Sequence, residues 1–203
     1  EPVQREFARL LAKRRGPTGA VAGGAGVCAY YAGAKVVDLW GGVRDETGAA
    51  WERDTACVSF STTKGVVSTA LHLLVDDGCI DYDDPVAQHW PEFAANGKGD
   101  ITIRDVMCHR AGMSNIRDRV SDASAMLDWD QVVAALAAAK PHPVAANATA
   151  YQALTYGFIV GEVIRRVSGL GVREFVQERM ARPLGVAGLH IGASEQAIAG
   201  AAR

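Results

Sequence analysis

No run of apolar residues approaches the ~20 that a membrane-crossing helix needs, because Gly, Arg, Asp or Lys interrupts each one. Net charge is also nearly absent. The 21 Lys and Arg face 23 Asp and Glu in 203 residues, a formal balance of −2, which leaves no long-range field for nucleic acid or an anionic surface. The basic cluster Lys13-Arg14-Arg15 is cut off at once by Gly16-Pro17 and reads as a solvated helix end. Neither nucleic-acid binding nor a membrane span is expected. Cysteine is scarce and dispersed: Cys28, Cys57, Cys79 and Cys108 contain no CxxC pair, which fits neither a zinc site nor a small disulfide-framed domain. Four isolated thiols, mostly in the core, are expected. His89, His142 and His190 are too scattered for a metal site, so no metal or cofactor is expected either. What remains is a chain with 49% hydrophobic and 22% charged residues, enough apolar material for one ordinary domain and too much for disorder.

Along the chain, residues 2–15 read as an amphipathic helix with Phe7, Leu10 and Leu11 on one side, stopped by Gly16-Pro17. Two β-rich runs follow, Gly26 to Tyr31 and Lys35 to Val43, joined by Ala32-Gly33-Ala34 as a tight hairpin. From Ser61 the pattern turns into a nearly all-apolar helix through Val75, with Gly78 as its stop, and a helix apolar on most sides belongs in a core. Helices then dominate: Ile101 to His109 capped by Thr102, Trp129 to Lys140 ended by Pro141, Thr155 to Val167, and Val172 to Met180.

Ser61-Thr62-Thr63-Lys64 places a hydroxyl and an amine three residues apart at the start of the apolar helix, on one face and within reach of each other. Eight Ser and five Lys in 203 residues make a chance SxxK expected about 0.2 times, so the spacing alone carries little. The setting carries more. Lys64 is the one Lys, Arg, Asp or Glu between Asp54 and Asp76, in a stretch expected to be core, and a desolvated lysine is a base able to take a proton from a serine hydroxyl. Ser61, near a helix N-terminus, sits where developing negative charge is favoured. The competing reading is a lysine snorkelling out of a first helical turn. Other arrangements fit less well. Gly112-Met113-Ser114-Asn115-Ile116 lacks the second Gly of a GxSxG elbow, His109 follows a helix in a setting that suits holding a turn, and His72 reads as a satisfied core residue.

Several segments stand in an order that resembles one family. They are Asp38-Leu39-Trp40-Gly41-Gly42, Phe60-Ser61-Thr62-Thr63-Lys64-Gly65, Asp84-Pro85-Val86 with Trp90-Pro91-Glu92-Phe93, His109-Arg110-Ala111-Gly112, Tyr151-Gln152-Ala153-Leu154-Thr155, Gly161-Glu162 and Arg182-Pro183-Leu184-Gly185. Together they resemble the serine β-lactamase superfamily, with the family VIII carboxylesterases as the nearest branch. The resemblance implies an α+β fold, like that of the penicillin-binding proteins, in which an antiparallel sheet packs on helices beside a helical subdomain. It implies that Ser61 is the acylated nucleophile, Lys64 its general base, and Tyr151 the phenol that relays protons. A protonated lysine beside a phenol lowers the phenol's pKa, so the two can share one proton near neutral pH.

Departures from the family pattern refine the expectation. Gln152 and Ala153 stand where β-lactamases carry Ser and Asn, which favours an esterase over a β-lactamase or D-alanyl peptidase, and Ala145 to Ala150 replaces the usual Pro-Gly before the tyrosine. The resemblance also implies further strands with a third motif that supplies a second oxyanion donor. On that basis residues 1–203 are expected to be the N-terminal part of one catalytic domain, with helix and hairpin in 1–60 and the catalytic helix and helical region in 61–203. The sheet, incomplete here, would be finished by a C-terminal segment or a second chain. The expected activity is a serine hydrolase of short-chain carboxylic esters without cofactor. The alternatives are a β-lactamase or D-alanyl peptidase, or a non-enzymatic binding relative. A cytoplasmic location is expected, with an N-terminus that looks trimmed.

Overall fold

A computed structural model describes residues 1–14, 19, 22–117, 120, 122–143 and 148–202. The chain divides into two compact units, Glu1–Ser59 with Ala193–Arg203, and Phe60–Gly192. Among the described residues no helix is long and apolar enough to cross a membrane.

In the first unit, α1 (Pro2–Lys13) starts with Pro at its first position, where the missing N–H costs nothing. It ends two residues earlier than expected, and its expected stop at Gly16-Pro17 lies outside the described residues. Strands β1 (Gly24–Tyr31) and β2 (Ala34–Gly42) pair antiparallel, Gly24 opposite Gly42 and Val27 opposite Leu39, with an irregularity at Ala29/Tyr30. Ala32 (φ +47°) and Gly33 (φ +80°) both take the left-handed conformation, which matches the twist of a two-residue hairpin turn. Gly24 is required on other grounds: a Cβ there would stand 2.5 Å from the Trp51 ring. A short helix, Glu195–Ala199, is capped by the Ser194 hydroxyl on Ala197 N–H, and Ala202 N–H then donates to Ala56 C=O at 2.8 Å.

The second unit is helical. Its first helix, α2 (Thr63–Asp76), buries Val67, Ala70, Leu71 and Leu74 and ends in paired bonds, Cys79 N–H to Leu74 C=O and Gly78 N–H to Val75 C=O, with Gly78 at φ +71°. The short helices α3 (Val86–His89) and α4 (Ile103–Met107) follow, and α4 opens on a reciprocal cap between Thr102 and Asp105. Next come α5 (Trp129–Ala138), α6 (Thr155–Ser168) and α7 (Val172–Val176), the last continuing as a wide turn through Ala181. The core joins α2 to α6 through Leu71, Leu74, Ile159, Val160 and Val163, with Trp90, Phe93, Phe175 and Leu136 filling around them. Gly161 lies under the Trp129 ring, where a Cβ would stand 2.6 Å from it.

Two expectations need correcting. All four cysteines are exposed, not core. Cys28 lies in the exposed run of β1, while Cys79 and Cys108 fall just past the ends of α2 and α4 and so miss the buried faces. His72, expected in the core, is also exposed, with Nδ1 2.8 Å from the Tyr82 hydroxyl. Its position on α2 lies off the stripe formed by Val67, Ala70, Leu71 and Leu74.

Candidate active site

The site is built on the N-terminus of α2. A single 3-10 turn, Phe60–Thr62, feeds the helix, so Ser61 precedes its first turn and Lys64 sits one turn on, facing the same way. Phe60 holds φ +40°, a conformation that costs a non-glycine residue about 1 to 3 kcal/mol and that often marks sites of chemistry.

Tyr151 arrives from a loop 90 residues away and closes the triangle. Its Oη lies 2.9 Å from Ser61 Oγ, Lys64 Nζ lies 3.3 Å from the same Oγ, and Nζ sits 4.9 Å from the Tyr151 ring centroid. Lys64 Nζ also donates to the Ala153 carbonyl at 2.6 Å, so the residue two past Tyr151 fixes the ammonium beside the phenol. Lys64 is half-buried and not enclosed by the core, because the apolar face of α2 begins only at Val67. Hydrogen bonds to Ser61 and Lys64, together with the charge of Lys64, hold the Tyr151 phenol below its ordinary pKa. The direction is chemically useful. A neutral phenol donates to Oγ, whereas a phenolate accepts the Oγ proton, the transfer that makes serine a nucleophile.

The loop carrying Tyr151 is fastened to the segment after α4. His142 N–H donates to Gly112 C=O and Ala150 N–H to His109 C=O, both at 2.8 Å. Gly112 has φ +68°, and a Cβ there would collide with the His142 carbonyl, so glycine is needed at that crossing. His109, expected to hold a turn, has φ +59° and accepts the Gln152 N–H on Nδ1 at 3.2 Å. Thr155 Oγ1, at the start of α6, donates to Met113 C=O at 2.5 Å. Residues 145–147 of the stretch where the family pattern is replaced lie outside the described residues.

The structure thus brings Ser61, Lys64 and Tyr151 within hydrogen-bonding reach of one oxygen. It leaves other candidates aside: His72 and His89 bond to Tyr82 and Asp84. A cleft of about 470 Å³ lined by Trp90, Ala134, Ala137, Arg165 and Arg166 includes none of the three residues. The sequence reading missed the burial of the Gln152 side chain, whose two amide atoms meet no partner among the described residues. No periodicity signals it, because Gln152 lies in a loop.

Comparison with known proteins bears on this geometry. A family model described as "Beta-lactamase" matches residues 5–203. The protein "Esterase/beta-lactamase LipL" of Mycobacterium tuberculosis is 41% identical over 191 residues, which cover 94% of this chain and 42% of that protein. A solved penicillin-binding protein homologue from Caulobacter crescentus aligns with a TM-score of 0.88 at 35% identity, covering 98% of this chain and 52% of that one. A family VIII carboxylesterase structure aligns with a TM-score of 0.77 at 40% identity, covering 83% and 46%. The chain spans about half the length of these relatives and shares their fold.

Proposed function

We propose that this chain, which belongs to the beta-lactamase family, carries the nucleophile of a serine hydrolase that cleaves short-chain carboxylic esters through an acyl-enzyme on Ser61. The observation that carries this reading is the convergence of Tyr151 Oη and Lys64 Nζ on Ser61 Oγ, at 2.9 and 3.3 Å.

Ser61 Oγ attacks the ester carbonyl carbon while its proton passes to the Lys64–Tyr151 pair, which shares one proton between amine and phenol. The nearer acceptor is Tyr151 Oη, and the cation of Lys64 offsets the phenolate charge. The carbonyl oxygen gains negative charge at the N-terminus of α2, where the Ser61 N–H and the helix dipole favour it. The ester C–O bond then breaks and the alcohol leaves with the proton returned by Tyr151. In the second half, water attacks the acyl carbon, gives its proton to Tyr151, and the acid departs as Ser61 Oγ recovers a proton. Ala153 stands where the resemblance places an asparagine, and its methyl offers no amide to a β-lactam or peptide side chain. Esters are therefore favoured over lactams.

The test is a pair of assays on the full-length enzyme, p-nitrophenyl butyrate beside nitrocefin, with fluorophosphonate labelling of Ser61→Ala as control. Turnover of the ester, slow or absent turnover of nitrocefin, and labelling lost in Ser61→Ala are expected. Nitrocefin turnover without esterase activity would make the protein a β-lactamase, and a folded protein that does neither would be a non-enzymatic relative.

A further inference from the structure

The residues flanking Tyr151 are both held by one side chain and its own backbone. His109 C=O accepts the N–H of Ala150 at 2.8 Å, and His109 Nδ1 accepts the N–H of Gln152 at 3.2 Å. Between these two anchors the imidazole meets the Tyr151 ring edge-on, with centroids 4.8 Å apart at 61°, and on another side it meets Tyr156 of α6 at 5.1 Å. His109 adopts φ +59°, a left-handed conformation that is uncommon for a residue with a Cβ and that places carbonyl and ring where both bonds form.

We propose that His109, neutral and unprotonated at Nδ1, is the positioning residue that fixes the Tyr151 phenol against Ser61, and that its protonation releases the phenol. The proposal rests on the esterase reading for its kinetic consequence, though not for its structural one. Nδ1 accepts a hydrogen bond only without a proton, so the bond to Gln152 N–H assigns the neutral tautomer with the hydrogen on Nε2. Protonation sets an Nδ1–H donor against the Gln152 N–H donor and removes one of the two anchors. The ionisable groups around the ring do not all act in one sense: Tyr151, when it is a phenolate, favours an imidazolium, and the others oppose it or carry no net charge towards it. Lys64 of α2 repels a second positive charge, Tyr151 and Tyr156 are phenols, and the neighbouring Arg110 is paired with Asp105 at 3.0 Å. Burial first, and the Lys64 charge second, push the His109 pKa below its ordinary value, so the clamp persists into mildly acidic solution.

Wild-type kcat/KM for p-nitrophenyl butyrate against pH is the first test and needs no variant. Loss of the Tyr151 phenolate removes activity with one proton, so its slope on a logarithmic plot is one. Below the His109 pKa the slope should steepen to two. His109→Asn tolerates positive φ and keeps a non-titrating acceptor, and it should restore a slope of one. At pH 8 it should lower kcat about 10- to 100-fold with KM nearly unchanged, as expected when a proton-transfer group is misplaced by about an ångström. In a Tyr151→Phe background it should cost nothing further, because His109 acts through the phenol. His109→Gln serves as a second acceptor variant if Asn impairs folding. A wild-type slope of one throughout, or an additive loss in the double variant, would overturn the proposal. The spectrophotometric titration of Tyr151, taken as wild type minus Tyr151→Phe, stands apart from any activity. Its midpoint should rise in His109→Asn, and an unmoved midpoint counts against the clamp even if no ester is turned over. Absence of Ser61-dependent hydrolysis would instead sink the esterase reading.

Discussion

Two lysines of the helical unit show how differently the fold uses the same side chain. Lys98 is fully buried. Its ammonium donates to the carbonyls of Ala95 at 2.6 Å, Ala137 at 2.9 Å and Ala139, and lies 5.3 Å from the Phe93 ring centroid, so it ties off the C-terminal end of α5. Lys64 is half-buried, with one carbonyl, one hydroxyl and one aromatic ring as neighbours. Among the described residues, the buried charge meets backbone carbonyls and an aromatic ring. The half-buried one faces a serine hydroxyl and a phenol. A charge sealed against carbonyls stabilises, whereas a charge beside a serine and a phenol leaves a proton free to move.

The largest effect that separates the two belongs to Lys64. Lys64→Ala should lower ester turnover by ~10² to 10⁴ and change stability little, read by initial rates and a thermal melt. Tyr151→Phe should behave alike, because the ring still packs. Nearly full activity in either would make the triangle incidental. Lys98→Met should do the opposite. It leaves buried carbonyls without a donor and should cost about 3 kcal/mol, a Tm fall of roughly 6 to 12 °C, with activity per folded molecule retained. A Lys98→Met protein that melts like wild type would mean that the carbonyls find other partners.

A smaller contrast separates Tyr151 from Tyr156. Tyr156 is buried, its hydroxyl lies 2.6 Å from Ser68 Oγ, and burial pushes its pKa up, whereas hydrogen bonds to Ser61 and Lys64 pull that of Tyr151 down. Tyr156→Phe should therefore cost about 1 kcal/mol of stability from the lost hydrogen bond and leave turnover nearly intact. If it abolished turnover instead, the proton-carrying phenol would be the wrong one.

Local chemistry explains what was legible in sequence. The hairpin followed from Ala32-Gly33-Ala34 between β-rich runs, the start of α4 from Thr102 as its cap, and the stop of α2 from Gly78, at positive φ. The pairing of Ser61 with Lys64 is likewise helical spacing. Tyr151 was legible only through the resemblance, since no spacing rule joins residues 90 apart. Lys98 was illegible for a related reason: Gly97-Lys98-Gly99 reads as a solvated turn until the end of α5 supplies carbonyls to receive the ammonium. The expected burial of Lys64 failed because the apolar stripe of α2 begins a turn further on.

The smallest expected effect concerns Gln152, and its sign is what matters. The side chain is fully buried, yet among the described residues neither its amide oxygen nor its amide nitrogen meets a protein partner. Burying an amide unpaired costs about 1 to 3 kcal/mol, while methionine has similar length and volume and no such cost. Gln152→Met should therefore be neutral or stabilising by up to about 1 kcal/mol, and Gln152→Glu, which buries a carboxyl in the same place, should destabilise clearly. Denaturant melts of the two variants give both signs. The backbone N–H of residue 152 remains available to His109 in each, so the comparison isolates the side chain from the clamp. A Gln152→Met protein that loses more than about 1 kcal/mol would show that the amide is satisfied in solution. Gln152 would then belong with Lys98, as a buried polar group whose partners hold the fold together.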